Sequence, residues 1–299
     1  MVMLFRYICV TVLMSLLASG FAAETKPVKK DGLQLRLVSD QNMVIPGGII
    51  TVGLFLEHEP TYHTYWKAPG IVGVPTQLKW ELPTGFSAAE IQWPAPQRTK
   101  MAQLTAYGYE TDTCLLTEIT VPKTIEGESV TLKVRAGWMC CASACHPDWQ
   151  DFEFTLPVSK KDSPTAAEVD AKWAAEFEKS RALFPKASPA AWQFTAKKAG
   201  SEREAPIDVF FTMKGEGELP EGFDLTEVYF FCNDNQVNSD EAQIMKIDPD
   251  RPRTVSLRLA GTDFGPENAK SLSGVLFYPK GWPGLDSKWI EVSTSWPEK

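Results

Sequence analysis

Three cysteines fall within six residues of the stretch Trp138-Met139-Cys140-Cys141-Ala142-Ser143-Ala144-Cys145-His146-Pro147. If the chain ran straight, the Cα atoms of Cys141 and Cys145 would stand ~13 Å apart. A disulfide needs about 4.4–6.8 Å, so the two can bond only across a turn. The small residues Ala142, Ser143 and Ala144 permit one, and Pro147 stops the segment from continuing as regular structure. A bond closing so short a loop adds modest stability, which suits a bond that is made and broken. Three chemistries fit these residues. The first is thiol–disulfide exchange, with a protonated His146 lowering the pKa of the adjacent Cys145. The second is a soft metal site for Cu(I) or Zn built from Cys140, Cys141, Cys145 and His146, although the second half of a Cys/His zinc pattern is absent. The third is a fixed structural disulfide.

The strand leading into the cluster separates the neighbouring cysteines. Val130, Leu132, Val134 and Ala136 alternate with polar residues. If the strand continues, Cys140 shares the inward parity of Trp138 and reads as a small core residue. Cys141 then points the other way, toward solvent. The remaining cysteines, Cys114 and Cys232, sit in apolar runs and read as core thiols. His63 lies in an aromatic loop and reads as a hydrogen-bonded structural histidine.

The first 22 residues explain why disulfide chemistry is admissible. Arg6 precedes an apolar run of 13 residues, Tyr7 to Ser19, and small residues at Gly20 and Ala22 suit cleavage after Ala22. The run is too short to span a bilayer, which takes about 20 residues. We therefore expect an exported chain, soluble once its signal peptide (1–22) is removed, in a compartment where disulfides persist. Loss of Cys9 with that peptide leaves five cysteines, an odd number, so at least one thiol stays free or pairs elsewhere. The formal net charge of −8 argues against nucleic acid and against an anionic membrane surface as partners. No hydrolase or kinase signature is present, and no cofactor is expected: there is no Gly-rich phosphate loop, no H-E-x-x-H and no G-x-S-x-G.

The elements that must position the cluster are mostly strands. Besides 130–136, alternation recurs at Leu33/Leu35/Leu37, Ile50/Val52/Leu54/Leu56, Leu78/Trp80/Leu82 and Phe152/Phe154/Leu156. Pro46-Gly47-Gly48, Pro69-Gly70 and Pro83-Thr84-Gly85 mark turns between them. This predicts a flexible N-terminus over 23–31 and then an immunoglobulin-like β-sandwich over 32–158. A helical linker over 159–188 follows. Ser163-Pro164 and the Thr165 to Glu168 spacing mark its start, Val169, Trp173 and Phe177 form one stripe, and Pro185 lies at its end. Strand-like runs at 207–213, 226–231, 254–259, 274–278 and 289–293 predict a second, smaller β domain over 189–299. The fold class is mainly β.

An ordered series of motifs then carries a resemblance. It runs His63-Thr64-Tyr65-Trp66-Lys67-Ala68-Pro69-Gly70, Gly73-Val74-Pro75-Thr76, Leu82-Pro83-Thr84-Gly85-Phe86 and Ile91-Gln92-Trp93-Pro94-Ala95-Pro96. Tyr107-Gly108-Tyr109-Glu110, Trp138-Met139-Cys140-Cys141, Cys145-His146-Pro147 and Leu156-Pro157-Val158 complete it. The series resembles the N-terminal periplasmic region of the DsbD thiol:disulfide interchange family, in the W-x-x-C-x-x-x-C-x-P branch related to the copper-tolerance Scs proteins. The resemblance implies an immunoglobulin-like sandwich and a redox pair at Cys141 and Cys145, with Trp138 and Pro147 as supporting motif residues. The pair would pass electrons to periplasmic acceptors such as thioredoxin-like proteins, disulfide isomerases or cytochrome c maturation factors. Full-length relatives continue into a membrane-embedded conduit and a thioredoxin-like domain; the sequence stops before both, which implies a membrane reductase acting in trans. The family's shielded site suggests that Tyr107, Tyr109 and Glu110 form a loop over the pair, with Glu110 raising the thiolate pKa. Cys145 is the expected attacking sulfur. Cys140 and His146 depart from the family pattern and keep Cu(I) binding as an alternative, beside a non-catalytic sandwich module with a fixed disulfide.

Overall fold

The computed structural model describes residues 24–159, 171–214, 223–224, 227–247, 250 and 253–297. The proposed signal peptide lies outside them, as do Ser163, Pro164, Thr165, Glu168 and Val169.

The first half of the chain contributes β1 (Val28–Lys30), β2 (Leu33–Ser39), β3 (Ile49–His58), β4 (Thr64–Tyr65), β5 (Gln77–Glu81), β6 (Ser87–Ala88), β7 (Gln97–Met101), β8 (Leu104–Tyr109), β9 (Thr113–Thr120), β10 (Ser129–Cys141) and β11 (Cys145–Pro157). One sheet has the order β1-β2-β3-β9-β6 and the other β11-β10-β5. The alternating apolar residues of both sheets meet between them. Leu33, Leu35, Leu37, Val52, Leu54, Leu56, Leu132, Val134, Ala136 and Leu156 are all fully or almost fully buried there. This is the immunoglobulin-like sandwich, each strand burying one face as its period-two pattern dictates.

Three features depart from the simple pattern. The segment expected to be flexible carries β1, which pairs with β2 from Val28↔Leu35 to Lys30↔Leu33, while Glu24 bridges Val38. Extended backbone beside an open sheet edge satisfies its hydrogen bonds there. Second, β3 is buried on both faces. Its outer face is covered by α1 (Ala171–Ala182), whose Trp173 and Phe177 pack on Val38, Phe55, Cys114 and Leu116. Third, β4, β8 and β7 form an extra three-stranded layer, ordered β4-β8-β7, against the cysteine end of the sandwich.

The second β domain comprises β12 (Lys186–Ala187), β13 (Trp192–Lys198), β14 (Ile207–Met213), β15 (Tyr229–Cys232), β16 (Ile244–Ile247), β17 (Thr254–Leu259), β18 (Ser271–Phe277) and β19 (Trp289–Ser295). Its two four-stranded sheets, β12-β19-β18-β15 and β13-β14-β17-β16, enclose a core that includes Ile207, Val209, Phe230, Leu257, Leu276 and Ile290. Phe231 and Val275 join the core of the first sandwich instead, so the two units meet through apolar contact.

Candidate functional site

β10 and β11 pair over their whole lengths, from Ser129↔Pro157 to Cys141↔Cys145, with Ala142, Ser143 and Ala144 as the hairpin loop. Cys141 and Cys145 are joined by a disulfide with Cα atoms 4.1 Å apart. The backbone N–H and C=O of Cys141 are both taken by His63, at 3.0 and 2.9 Å. The two cysteines therefore form a non-hydrogen-bonded cross-strand pair, where opposing Cα atoms approach most closely. Period two, carried through the hairpin, is what sets sulfur against sulfur.

The parity argument gives the right directions and the wrong exposure. Cys140 belongs to the sandwich core, and Cys141 faces the other way. Yet Cys141 is 0 % exposed, because the β4-β8-β7 layer covers it. Tyr65, Ala106, Val72, Met101 and Met139 pack around it. Cys145, at the start of the edge strand, is only partly buried and is the more accessible residue of the pair.

The other predicted residues separate. Trp138 is buried in the sandwich core; Pro147, expected to stop regular structure, instead lies exposed within the edge strand β11 in register with Met139, a position where its missing N–H is tolerated. Tyr107 and Tyr109 lie in β8, not in a loop over the sulfurs. The Tyr107 hydroxyl meets that of Tyr229 at 3.2 Å, and Tyr109 donates to the Pro94 carbonyl at 2.7 Å. Because strand neighbours alternate, it is Ala106, immediately before Tyr107, that faces Cys141. Glu110 is exposed, and its charge acts on His63.

His146 pairs in register with Cys140, so its side chain lies on the opposite face of the hairpin from the disulfide. There it approaches Asp31, Nδ1 to Oδ2 at 3.5 Å. The histidine on the disulfide's own face is His63, the bridge partner of Cys141. It is buried, with Nε2 3.2 Å from the Tyr65 hydroxyl. Burial pushes its pKa down, partly offset by Glu110, so it is neutral near pH 7. The sequence reading assigned His63 only a structural role; its place in the His63-Thr64-Tyr65-Trp66 motif was the available signal.

The four residues of the metal alternative are split two and two across the hairpin, Cys140 and His146 on one face and Cys141 and Cys145 on the other. Among the described residues no group of three or more His, Cys, Asp or Glu is arranged to hold a metal ion. The remaining described thiols are poor nucleophiles. Burial, then the charges of Asp31 and Glu59, push Cys140 up to about 12. Burial likewise raises Cys114 and Cys232. The arrangement thus concentrates accessible sulfur chemistry at one disulfide, with one cysteine buried and the other partly exposed.

Comparison with known proteins bears out the resemblance read from the motifs. Residues 36–157 match the family described as thiol:disulfide interchange protein DsbD, N-terminal. The crystal structure of the N-terminal periplasmic domain of ScsB from Proteus mirabilis superposes with a TM-score of 0.62 at 17 % identity, over 93 % of this chain and 100 % of that one. The likeness spans both β domains, so the tandem arrangement is a shared fold. The yeast GGA1 GAE domain (TM-score 0.25, 11 % identity, 46 % of this chain and 99 % of that one) is too distant to carry an argument. The same holds for a conserved domain protein from Bacillus anthracis (TM-score 0.23, 9 % identity, 90 % and 87 %). No curated protein matches. Among the described residues no helix is long and apolar enough to cross a membrane.

Proposed function

We propose that this chain, whose residues 36–157 match the N-terminal domain family of the DsbD thiol:disulfide interchange proteins, is a periplasmic electron carrier working through Cys141–Cys145. It would take electrons from a membrane-embedded thiol reductase. It would pass them to thioredoxin-like or disulfide isomerase acceptors, including those of cytochrome c maturation. The signal-like residues 1–22 support export. The observation that carries the reading is the asymmetry of the disulfide: Cys145 partly exposed, Cys141 enclosed, and the other described thiols buried.

A reduced partner's thiolate attacks Sγ of Cys145. The Cys145–partner bond forms as the Cys141–Cys145 bond breaks, and Cys141 leaves with the electron pair and takes up a proton. The partner's second thiolate then attacks the partner sulfur of the mixed disulfide. This releases Cys145 as a thiolate, which also takes up a proton, and leaves the partner oxidised. The chain has gained two electrons and two protons. Reversal of these steps on an oxidised acceptor delivers them.

The test is the reduction potential of the mature chain, by thiol trapping across dithiol buffers. A single two-electron couple between about −150 and −270 mV, lost in Cys141→Ser and in Cys145→Ser, is the expected result. A bond still oxidised below about −300 mV would make the disulfide structural and end the proposal. Cys145→Ser that still traps partners as mixed disulfides at the parental rate would reverse the assignment of the attacked sulfur.

A further inference from the structure

The layer that covers Cys141 is secured from outside the sandwich. β4 reaches only Thr64–Tyr65, so it pairs with the end of β8, at Tyr109 and Gly108. Tyr107 finds its backbone partners in the following turn, accepting from Trp66 N–H at 3.0 Å and donating to the Pro69 carbonyl at 2.9 Å. Thr105 lies beyond the reach of both. Its N–H donates to Asp240 Oδ1 at 2.8 Å, and its carbonyl accepts from Ser239 Oγ at 2.6 Å. Two side chains of the second domain thus continue the sheet edge that β4 leaves open.

The same loop holds the turn before the cover. Gly70 N–H donates to Asn235 Oδ1 at 2.9 Å, and Ile71 N–H to Ser239 Oγ at 3.1 Å. Gly70 has φ +93°, and a Cβ there would stand 2.2 Å from Ser239 Oγ, so this contact requires glycine. Tyr229 completes the junction. Its hydroxyl meets that of Tyr107, and the Arg98 guanidinium of β7 lies 4.8 Å from its ring centroid. Ser239 and Thr105 are buried, where a lost hydrogen bond leaves an unsatisfied group. Between Thr105 and Tyr107, both gripped in this way, sits Ala106, the residue against Cys141.

We infer that the second β domain is a latch on this cover. Its 235–240 loop holds β8 and the 66–71 turn closed over Cys141, so that Ser239, Asp240 and Tyr229 are positioning residues that limit how fast a thiol partner opens the disulfide. The inference deepens the exchange reading and rests on it for its purpose. Access to the sulfurs can nevertheless be measured with no physiological partner.

The experiment follows reduction of the oxidised mature protein by excess dithiothreitol, as a second-order rate. Ser239→Ala/Asp240→Ala should raise that rate about tenfold, the equivalent of one or two buried hydrogen bonds. Asp240→Asn keeps the acceptor for Thr105 N–H and should restore the parental rate. Thr254→Val breaks a contact within the second domain away from the latch, Thr212 Oγ1 to Thr254 Oγ1 at 3.2 Å, and should leave the rate unchanged. A parental rate in the folded double variant overturns the latch. So does equal acceleration by Thr254→Val, which would show that stability alone sets the rate. If the double variant does not fold, Tyr229→Phe decides, since it removes only the hydroxyl. A severalfold rise supports the latch, and no change overturns it. Failure of the exchange reading appears elsewhere, in the potential of the unaltered chain.

Discussion

The first sandwich hides a cysteine under an added layer in two places, and the covers differ in kind. On the outer face of β9, Cys114 lies beneath α1. That cover is mainly apolar, with one buried polar bond from Ser180 Oγ to the Cys114 carbonyl at 2.7 Å: Trp173 stands edge-on to Phe55 with centroids 5.2 Å apart, and Phe177 packs beside it. Gly53 has no side chain there, and a Cβ would fall 2.5 Å from the Cys114 sulfur, so the packing leaves no slack. At the other end, Cys141 lies beneath Ala106 of a layer whose strands have six residues or fewer. Polar contacts to a separate domain hold that layer, beside the packing of Tyr107 on Phe231 with centroids 4.9 Å apart. An apolar cover can be removed only by exposing its whole buried area, whereas a polar latch can exchange its bonds with water one at a time. The first arrangement stores an inert thiol. The second suits a disulfide that must be hidden and then reached.

Trp173→Ala should break this contrast with the largest effect on stability, about 3–5 kcal/mol for an aromatic removed from a packed site. Urea denaturation measures that loss. Cys114 should then alkylate with maleimide through local opening, while reduction of Cys141–Cys145 by dithiothreitol proceeds at the parental rate. Parallel acceleration of both reactions would mean that the two covers open as one.

Acid should separate the two ends by sign. At the Cys141 end, burial, partly offset by the charge of Asp112, holds His58 at about 4, against 6.5 when free. Between those values the unfolded chain binds the proton and the folded chain does not. Stability on the order of 2–3 kcal/mol is therefore present above pH 6.5, lost as pH falls toward 4, and flat below. Depression of the His63 pKa acts in the same direction. At the Cys114 end, burial raises the carboxyl of Asp40, so the folded state takes a proton first and acid favours it. Hydrogen exchange at pH 5 and pH 7 should show Thr64 and Tyr65 losing protection on acidification while Leu115 and Leu116 keep theirs. His58→Gln, which removes the titrating group, should abolish most of the difference.

The contrast also marks where sequence stops being informative. Strand alternation is local, so the sandwich, the strands at 130–136 and 152–156 and the opposite facings of Cys140 and Cys141 were legible, whereas the continuation of both strands into one hairpin through Pro147 was not. The stripe through Trp173 and Phe177 was legible too. The cover was not. β7 reads Gln97-Arg98-Thr99-Lys100-Met101, with no apolar alternation to announce a strand, and β4 is two residues long. Tyr107 and Tyr109 looked like parts of a shielding loop because nothing local shows that their hydroxyls have partners at Tyr229 and Pro94. His146 looked like the histidine of the site because it is next to Cys145 in the chain. In a strand, adjacency puts two side chains on opposite faces, and His63 reaches the disulfide's face through a bridge from a distant segment. What sequence could not supply was in each case a long-range contact made by a short element.

Cys140 gives the smallest and sharpest test, because it is next to Cys141 yet resembles Cys114 in kind. It is buried in the sandwich core, and burial with Asp31 and Glu59 keeps it protonated. Its side chain faces away from Cys141, so it is a poor resolving thiol for a mixed disulfide and a poor shared ligand for a metal held by the pair. Cys140→Ala should cost about 1 kcal/mol in urea denaturation, as for a typical core substitution. The potential of the Cys141/Cys145 couple and the rate of its reduction should stay at their parental values. A displaced potential would mean that Cys140 takes part in the couple despite its facing. Stoichiometric Cu(I) retained by the reduced parent and lost from the variant would mean that the hairpin rearranges on reduction to bring both faces onto one ion. Parental behaviour in both measurements leaves the strand's alternation as the whole reason why two adjacent cysteines have unrelated roles.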